Sequence, residues 1–272
     1  MAIRGWVSLL LLAYATASEP IRIICPYGGL LDNKLSMTDR GINLFDRAGI
    51  YGLFFQWIDP AHFQANAFVY LCPKINYSTV WGTSISSDFY FLSSPGIGKS
   101  VAGAGGEIIE ISTKTTDELF RTNDIEPLHR FDLNNAVIAP FLRAGYRFEH
   151  NFGHVRIFMF PWAGVQQELV RGNLYIEPTP LWTTAMPPIA ETISEDHTYA
   201  LAGCGAGVNF FHFVDIEAKM HRMIRNDVQY NHYSSMINLF LSRKWGVSYR
   251  FRYMEMSTGT NAFHFFGVAY IF

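Results

Sequence analysis

Charge is what this chain has least of. Only 16% of its 272 residues are Asp, Glu, Lys or Arg, against roughly 25% in an ordinary soluble domain. The formal net charge of −2 leaves no Lys/Arg excess, which argues against nucleic acid as a partner. Cysteine is scarce, at three residues, so a disulfide-dense miniprotein is excluded. Long apolar runs are also missing. Beyond the N-terminus, the stretches 108–111 and 136–142 are interrupted by Glu110 and Pro140, far short of the ~20 residues a membrane-spanning helix needs. Gly103, Gly105 and Gly106 lack the Lys-Ser/Thr that completes a phosphate-cradling loop. The nine histidines are scattered, and the closest pair, His150 and His154, has nothing nearby to complete a metal site. No metal and no cofactor are expected.

What the chain does have is apolar and aromatic side chains, at 49% and 16% of residues. A disordered chain and a coiled coil are both incompatible with that composition. Residues 1–17 read as a cleavable secretory signal. Arg4 forms a short basic region, Gly5 to Tyr14 an apolar segment, and Ala15-Thr16-Ala17 a small-residue cleavage site. An exported chain without a spanning helix is either soluble or crosses a membrane as a closed β-barrel.

The period of the apolar residues separates these two. A barrel strand alternates apolar-out with polar-in over about ten residues. Trp245, Val247, Tyr249, Phe251 and Tyr253 oppose Gly246, Ser248, Arg250 and Arg252. Ala136, Ile138, Leu142, Ala144, Tyr146 and Phe148 oppose Arg143, Gly145, Arg147 and Glu149. The same alternation runs through 63–71, 75–85 and 216–221. An exported β-sandwich also alternates, but it wets its outer face with Lys, Glu and Asp, in which this chain is poor. The excess aromatics suit girdles at two membrane interfaces instead.

Connections alternate in length as well. The segments 149–153, 211–215 and 242–244 are short, whereas 170–197, 224–233 and 257–261 are longer and polar or proline-rich. Counting back from the C-terminus predicts ten strands within 46–272, an even number that puts both barrel ends on one side. On this reading residues 18–45 form an N-terminal periplasmic arm, and extracellular loops lie near 92–132 and 170–197. The Gly-rich stretch 101–112 belongs to the first of these loops; read as a strand with a partner, it raises the count to twelve.

The end of the chain carries the most specific pattern. Phe266, Val268, Tyr270 and Phe272 alternate up to the last residue. Here the chain resembles bacterial outer-membrane β-barrel proteins, a small-barrel or porin-like architecture across about residues 46–272. The resemblance implies an antiparallel up-and-down transmembrane barrel in the outer membrane of a diderm bacterium. It also implies that the barrel-assembly machinery reads Phe266, Val268, Tyr270 and Phe272.

The polar parity of these strands should face the lumen. It comprises Arg143, Arg147, Glu149, His154, Arg156, Glu217, Lys219, His221, Arg250 and Arg252, six fixed positive charges against two negative. Charged rings bias a pore by sign, so the leading expectation is a narrow, anion-biased passage for small solutes. The alternative is a closed surface barrel, plugged by Arg–Glu pairs, whose loops bind an external partner. Enzymatic activity is not expected. The remote alternative is a lipid esterase, suggested by His232-x-Ser234, but its acid, Glu255, falls on the opposite face. Among the cysteines, Cys204 sits in the small-residue run 202–206. Cys25 in the arm and Cys72 beside a predicted periplasmic turn are therefore the expected disulfide pair.

Overall fold

The computed structural model describes residues 20–37, 42–59, 62–73, 78–94, 97–116, 128–178, 187–210, 213–226, 228–256 and 259–272. The segment 1–17, expected to be a secretory signal, lies outside them. The described chain forms β1 (Ile21–Met37), β2 (Ile42–Asp59), β3 (Phe63–Cys72), β4 (Ser78–Ser94), β5 (Gly98–Thr116) and β6 (Leu128–Phe152). It continues with β7 (Val155–Pro178), β8 (Ile189–Phe210), β9 (Val214–Arg225), β10 (Val228–Phe240), β11 (Trp245–Met256) and β12 (Gly259–Ile271). Each strand pairs antiparallel with its neighbours in sequence, and β1 pairs with β12, so the sheet closes on itself. The seam runs in register from Ile23–Ile271 to Leu35–Gly259, and the Phe272 amide donates to the Arg22 carbonyl (3.0 Å). In hydrocarbon an open sheet edge would leave a row of backbone groups unpaired at several kcal/mol each, which closure avoids.

The barrel has twelve strands, two more than the alternation predicted, and both additions correct the domain boundaries. Residues 21–37 are not a periplasmic arm but β1, the strand that closes the barrel. Residues 98–116 are not part of a loop over 92–132 but β5, paired with β4 and β6 throughout. Likewise 170–197 is not one loop: β7 runs to Pro178 and β8 begins at Ile189.

The two ends of the barrel differ. One carries both Ile21 and Phe272 together with tight turns. At one of these turns Phe152 pairs directly with Val155, and Gly153 takes a φ of 59°, a left-handed conformation that favours glycine. The other end carries the loops. The register also fixes the tilt. Paired residues followed from Tyr27 through Gly52, Tyr70, Gly82, Ile109, Val137 and Val170 lead to Glu195. The other way round, through Gly267, Ser248, Asn238 and Asp215, they lead to Asn209, fourteen residues along the same strand. A stagger of that size demands strands inclined by roughly 40° to the barrel axis.

Outside, the side chains form an apolar band. Trp57, Phe63, Phe89, Phe148, Trp245 and Tyr270 lie near the turn end, and Tyr51, Trp81, Tyr233 and Tyr253 near the loop end. Between them Leu53, Val69, Ile85, Leu142, Val165 and Phe266 are each about half exposed or more. Beyond the second girdle the exterior turns ionic. Arg47 pairs with Asp32 (2.6 Å) and Arg171 with Asp196 (2.6 Å), while Trp81 Nε1 donates to Glu110 (2.7 Å). On β11 the band runs from Trp245 to Tyr253, close to the 9–11 tilted residues that cross a bilayer.

The three cysteines are free, and the expected Cys25–Cys72 bridge is corrected. Leu71, Tyr51 and Gly28 share one rung, so Cys72 lies beyond Gly28 while Cys25 lies three residues below it, two strands away. A disulfide needs Cα atoms within about 7 Å. The parity shift introduced by β5 moves Cys72 to the loop end, away from the turn end where Cys25 sits. Denatured, unreduced protein is therefore expected to take up three alkyl groups by mass; uptake of one would restore the bridge.

Candidate functional site

The lumen is the interior that the described strands enclose, and its two halves are chemically different. On the side of β1–β5, β11 and β12, inward residues pack into one apolar cluster that includes Tyr27, Ile50, Phe54, Tyr70, Ile109, Met254, Phe263 and Phe265. Aromatic rings dominate it. Phe68 meets Phe265 edge-on at 4.9 Å, and Tyr70 meets Phe263 at 5.2 Å. The opposite wall, β6–β10, carries charged and small residues among the buried aromatics Phe158, Phe160, Trp162 and Tyr199. Between the two walls lies a cavity of about 300 Å³, with Arg143, Lys219, Arg250 and Arg252 in its lining.

The cations are mostly paired. Arg143 forms a bidentate contact with Asp88, with 2.8 and 2.7 Å from one nitrogen to its two oxygens. Gly103 lies directly beneath this pair: a Cβ there would stand 2.2 Å from Asp88 Oδ1. Arg252 reaches across the lumen from β11 to Glu107 on β5, and Lys219 pairs with Glu217. Nearer the turn end, Glu149 accepts from Arg147 and lies 3.6 Å from Lys99 Nζ. Arg147 also stacks on Phe158 (3.7 Å), and Arg156 has a buried Nε with no partner among the described residues.

Arg250 is different. Its guanidinium carbon stands over Phe54, 3.4 Å from the ring centroid, and its Nε donates to the Tyr27 hydroxyl at 2.6 Å. That hydroxyl donates to Ser248 Oγ (2.8 Å), which donates to Asn238 Oδ1 (2.6 Å). Every partner in the chain is neutral. No carboxylate among the described residues lies within ion-pair distance of Arg250.

The loop end is covered. Strands β6, β7 and β8 are 25, 24 and 22 residues long, against 12 or 13 for β9 to β12. Their extensions stand beyond the outer apolar band, and their inward residues Phe131, Leu133, Leu174 and Ile176 pack against Leu35 of β1. Strands β1 and β7 lie on opposite walls of the barrel. The contact therefore spans the mouth.

No protein-family model matches the chain, and no curated protein does. Among solved structures it is similar to the translocator domain of the autotransporter NalP from Neisseria meningitidis, at 14% identity and a TM-score of 0.49, covering 100% of this chain and 95% of that one. It is also similar to the transport unit of the autotransporter AIDA-I from Escherichia coli, at 9% identity and a TM-score of 0.47, covering 97% and 96%. A third similarity is to the KdgM porin in complex with oligogalacturonate, at 8% identity and a TM-score of 0.44, covering 92% and 99%. At these values the likenesses carry no argument; the closed antiparallel sheet and its outer apolar band decide the architecture. The fold is that of a transmembrane β-barrel.

Within this barrel Arg143, Arg147, Arg156, Glu217, Lys219, His221, Arg250 and Arg252 all project inward, and all but Arg147 and Arg156 line the cavity. His154, read as inward from its spacing, sits instead in the turn between β6 and β7. Phe266, Val268 and Phe272 face outward at 61%, 49% and 55% exposure, and Tyr270 stacks on Phe272. The acids opposing the cations were missed: Asp88 and Glu107. Asp88 shares parity with Ser84 and Ser86, a signal present in the sequence; Glu107 has none until 98–116 is known to be a strand. With both in place, the excess of positive charge read from the sequence is largely neutralised.

The arrangement needed by the esterase alternative does not form. His232 Nε2 donates to the Glu255 backbone carbonyl (3.0 Å). The Glu255 carboxylate instead accepts from the backbone and side chain of Asn231 (2.7 and 3.0 Å). Ser234 lines the cavity with no acid–imidazole relay beside it.

Proposed function

We propose that this protein is an outer-membrane barrel that passes small anionic solutes through a narrow lumen closed at rest on its extracellular side. The observation that carries the reading is one residue of the cavity lining: its four cations are balanced in number by Glu107, Glu168, Glu217 and Glu255, yet Arg250 is bound only by neutral groups. Cationic rings in a low-dielectric wall favour anions. On this reading Arg143, Arg147, Arg156, Lys219, Arg250 and Arg252 line the path, with Glu217 and His221 beside them. The turn end faces the periplasm, and residues 1–17 direct export. Phe266, Val268, Tyr270 and Phe272 present the outward pattern that the barrel-assembly machinery would read, and the bilayer then covers the same residues.

A second reading has its own support. The paired charges and the covered mouth suit a closed barrel that displays its loops, 117–127 and 179–186, to an external partner; both segments lie outside the described residues. Conductance separates the two. Refolded protein in a planar bilayer under a salt gradient is expected to show small discrete steps with an anion-shifted reversal potential. Arg250→Ser with Arg252→Ser is expected to move that potential toward zero. A folded barrel that stays silent even when its mouth cover is removed would refute the passage and favour the loops.

A further inference from the structure

Arg250 is the one cation in the cavity lining with no carboxylate in ion-pair contact among the described residues: Glu217, on the same rung through Met236, is held by Lys219. Arg143, Lys219 and Arg252 each hold a carboxylate, on Asp88, Glu217 and Glu107. Arg250 is held just as firmly, but by the face of Phe54 and the oxygen of Tyr27. The Tyr27–Ser248–Asn238 chain fixes that oxygen as an acceptor toward Arg250, because its own proton is committed to Ser248. The guanidinium is therefore immobilised without a carboxylate bound to it, and its terminal N–H groups meet no acceptor among the described residues. A planar fork pre-organised in this way matches a carboxylate bidentately.

The surroundings restrict what that carboxylate belongs to. Phe54, Phe68 and Phe265 line the same cavity beside Arg250, with Phe54 and Phe68 at 6.2 Å and Phe68 and Phe265 at 4.9 Å. Gln56, Asn66, Ser84 and Ser86 also line the cavity, but a hydrated inorganic anion seated against the three rings gives up water to a face that returns no hydrogen bond. An apolar body attached to the anion reverses that balance, since its own burial is favourable. The volume of about 300 Å³ is at the small end of ligand sites, enough for one ring or a short alkyl chain and too small for a lipid.

We propose that the solute seated in this lumen is a monocarboxylate with an aromatic or short alkyl body, its carboxylate on Arg250 and its body on the phenylalanine wall. This deepens the reading of the lumen as an anion passage and rests on it. The test uses the refolded full chain and three probes: 3-phenylpropionate, 3-phenylpropanol and acetate. Binding is followed by calorimetry and by the fluorescence of Trp162, which lines the cavity. The aromatic acid is expected to bind tighter than the alcohol by roughly tenfold to a hundredfold, the worth of a hydrogen bond to a charged group. It should also exceed acetate, which lacks the body. Arg250→Gln should erase the preference for acid over alcohol, and Arg250→Lys should retain part of it.

Equal affinity for acid and alcohol in the wild-type protein overturns the proposal, and this comparison requires no variant to fold. A preference that survives Arg250→Gln, with heat-modifiable mobility intact, overturns the assignment to Arg250. Bilayer recordings keep the two readings apart. Chloride conductance that 3-phenylpropionate neither blocks nor shares sinks the ligand class and leaves the passage. Tight binding by a barrel that never conducts sinks the passage and leaves the site.

Discussion

Replacing Glu107 with Gln is expected to destabilise the folded barrel by about 3 kcal/mol, near the lower end of the cost of breaking a buried ion pair. The reason is what remains. Glu107 accepts both contacts from Arg252 and a third from the Tyr70 hydroxyl at 3.4 Å. Gln keeps the shape but not the charge, so Arg252 is left as a cation beside Tyr70, which is 2% exposed. The lower end applies because the Arg252 side chain keeps 26% of its accessibility. The pair also joins β5 to β11 across the lumen, so its loss frees these two strands relative to each other. The measurement is urea unfolding in detergent or bilayer, followed by gel mobility. The double variant Glu107→Gln, Arg252→Met should recover most of the loss, since removing both charges leaves nothing unpaired. If Glu107→Gln unfolds with the wild-type midpoint, the pair is solvated and worth as little as a surface ion pair.

The second large effect is on the mouth. Leu35 is 5% exposed and packs against Phe131, Leu133, Leu174 and Ile176, which lie between 0% and 7%. Leu35→Ala removes the contribution of β1 to this contact. Truncations of a buried leucine cost about 2–5 kcal/mol, which would shift a closed-to-open ratio by roughly thirtyfold or more toward open. Leu35→Asp should do more, because an unpaired carboxylate cannot stay in that cluster. Single-channel recording is expected to show a several-fold rise in mean conductance for both. The unfolding midpoint should move little, because the contact stands beyond the membrane band and the barrel's hydrogen bonds do not depend on it. Unchanged conductance in a folded Leu35→Asp protein would mean that this cluster does not gate the lumen.

How far the sequence could be read follows from where contrast exists. In β11 the outward set is Trp245, Val247, Tyr249, Phe251 and Tyr253 and the inward set Gly246, Ser248, Arg250 and Arg252. Lipid on one side and a polar lumen on the other leave opposite chemistry on alternate residues, so the strand is legible alone. In β1 that contrast is absent. Its inward residues Ile23, Cys25, Tyr27 and Leu31 are as apolar as its outward Ile24 and Leu30, because they face the apolar half of the lumen. Pro26 and the pair Gly28-Gly29 then read as breakers, although each has a register partner on β2. Strand β5 hides for the opposite reason. Gly103 and Gly105 face inward and Ala102, Ala104 and Gly106 outward, small on both faces. The inward glycines make room for the Arg143–Asp88 pair and for Phe141.

By itself the sequence determined that the chain is an antiparallel membrane barrel, which charged residues of the legible strands point inward, and which face of each legible strand meets lipid. Those properties are local: a period of two and a choice of solvent on either side decide them. Tertiary structure alone decided the count of twelve, the closure of β12 on β1, the pairing of Arg143 with Asp88 and of Arg252 with Glu107, and the contact of Leu35 across the mouth. Each of these joins residues far apart in the chain, such as Arg252 with Glu107 or Arg250 with Tyr27. The stagger of the closed sheet sets which of them meet, and a stagger exists only once the last strand has found the first.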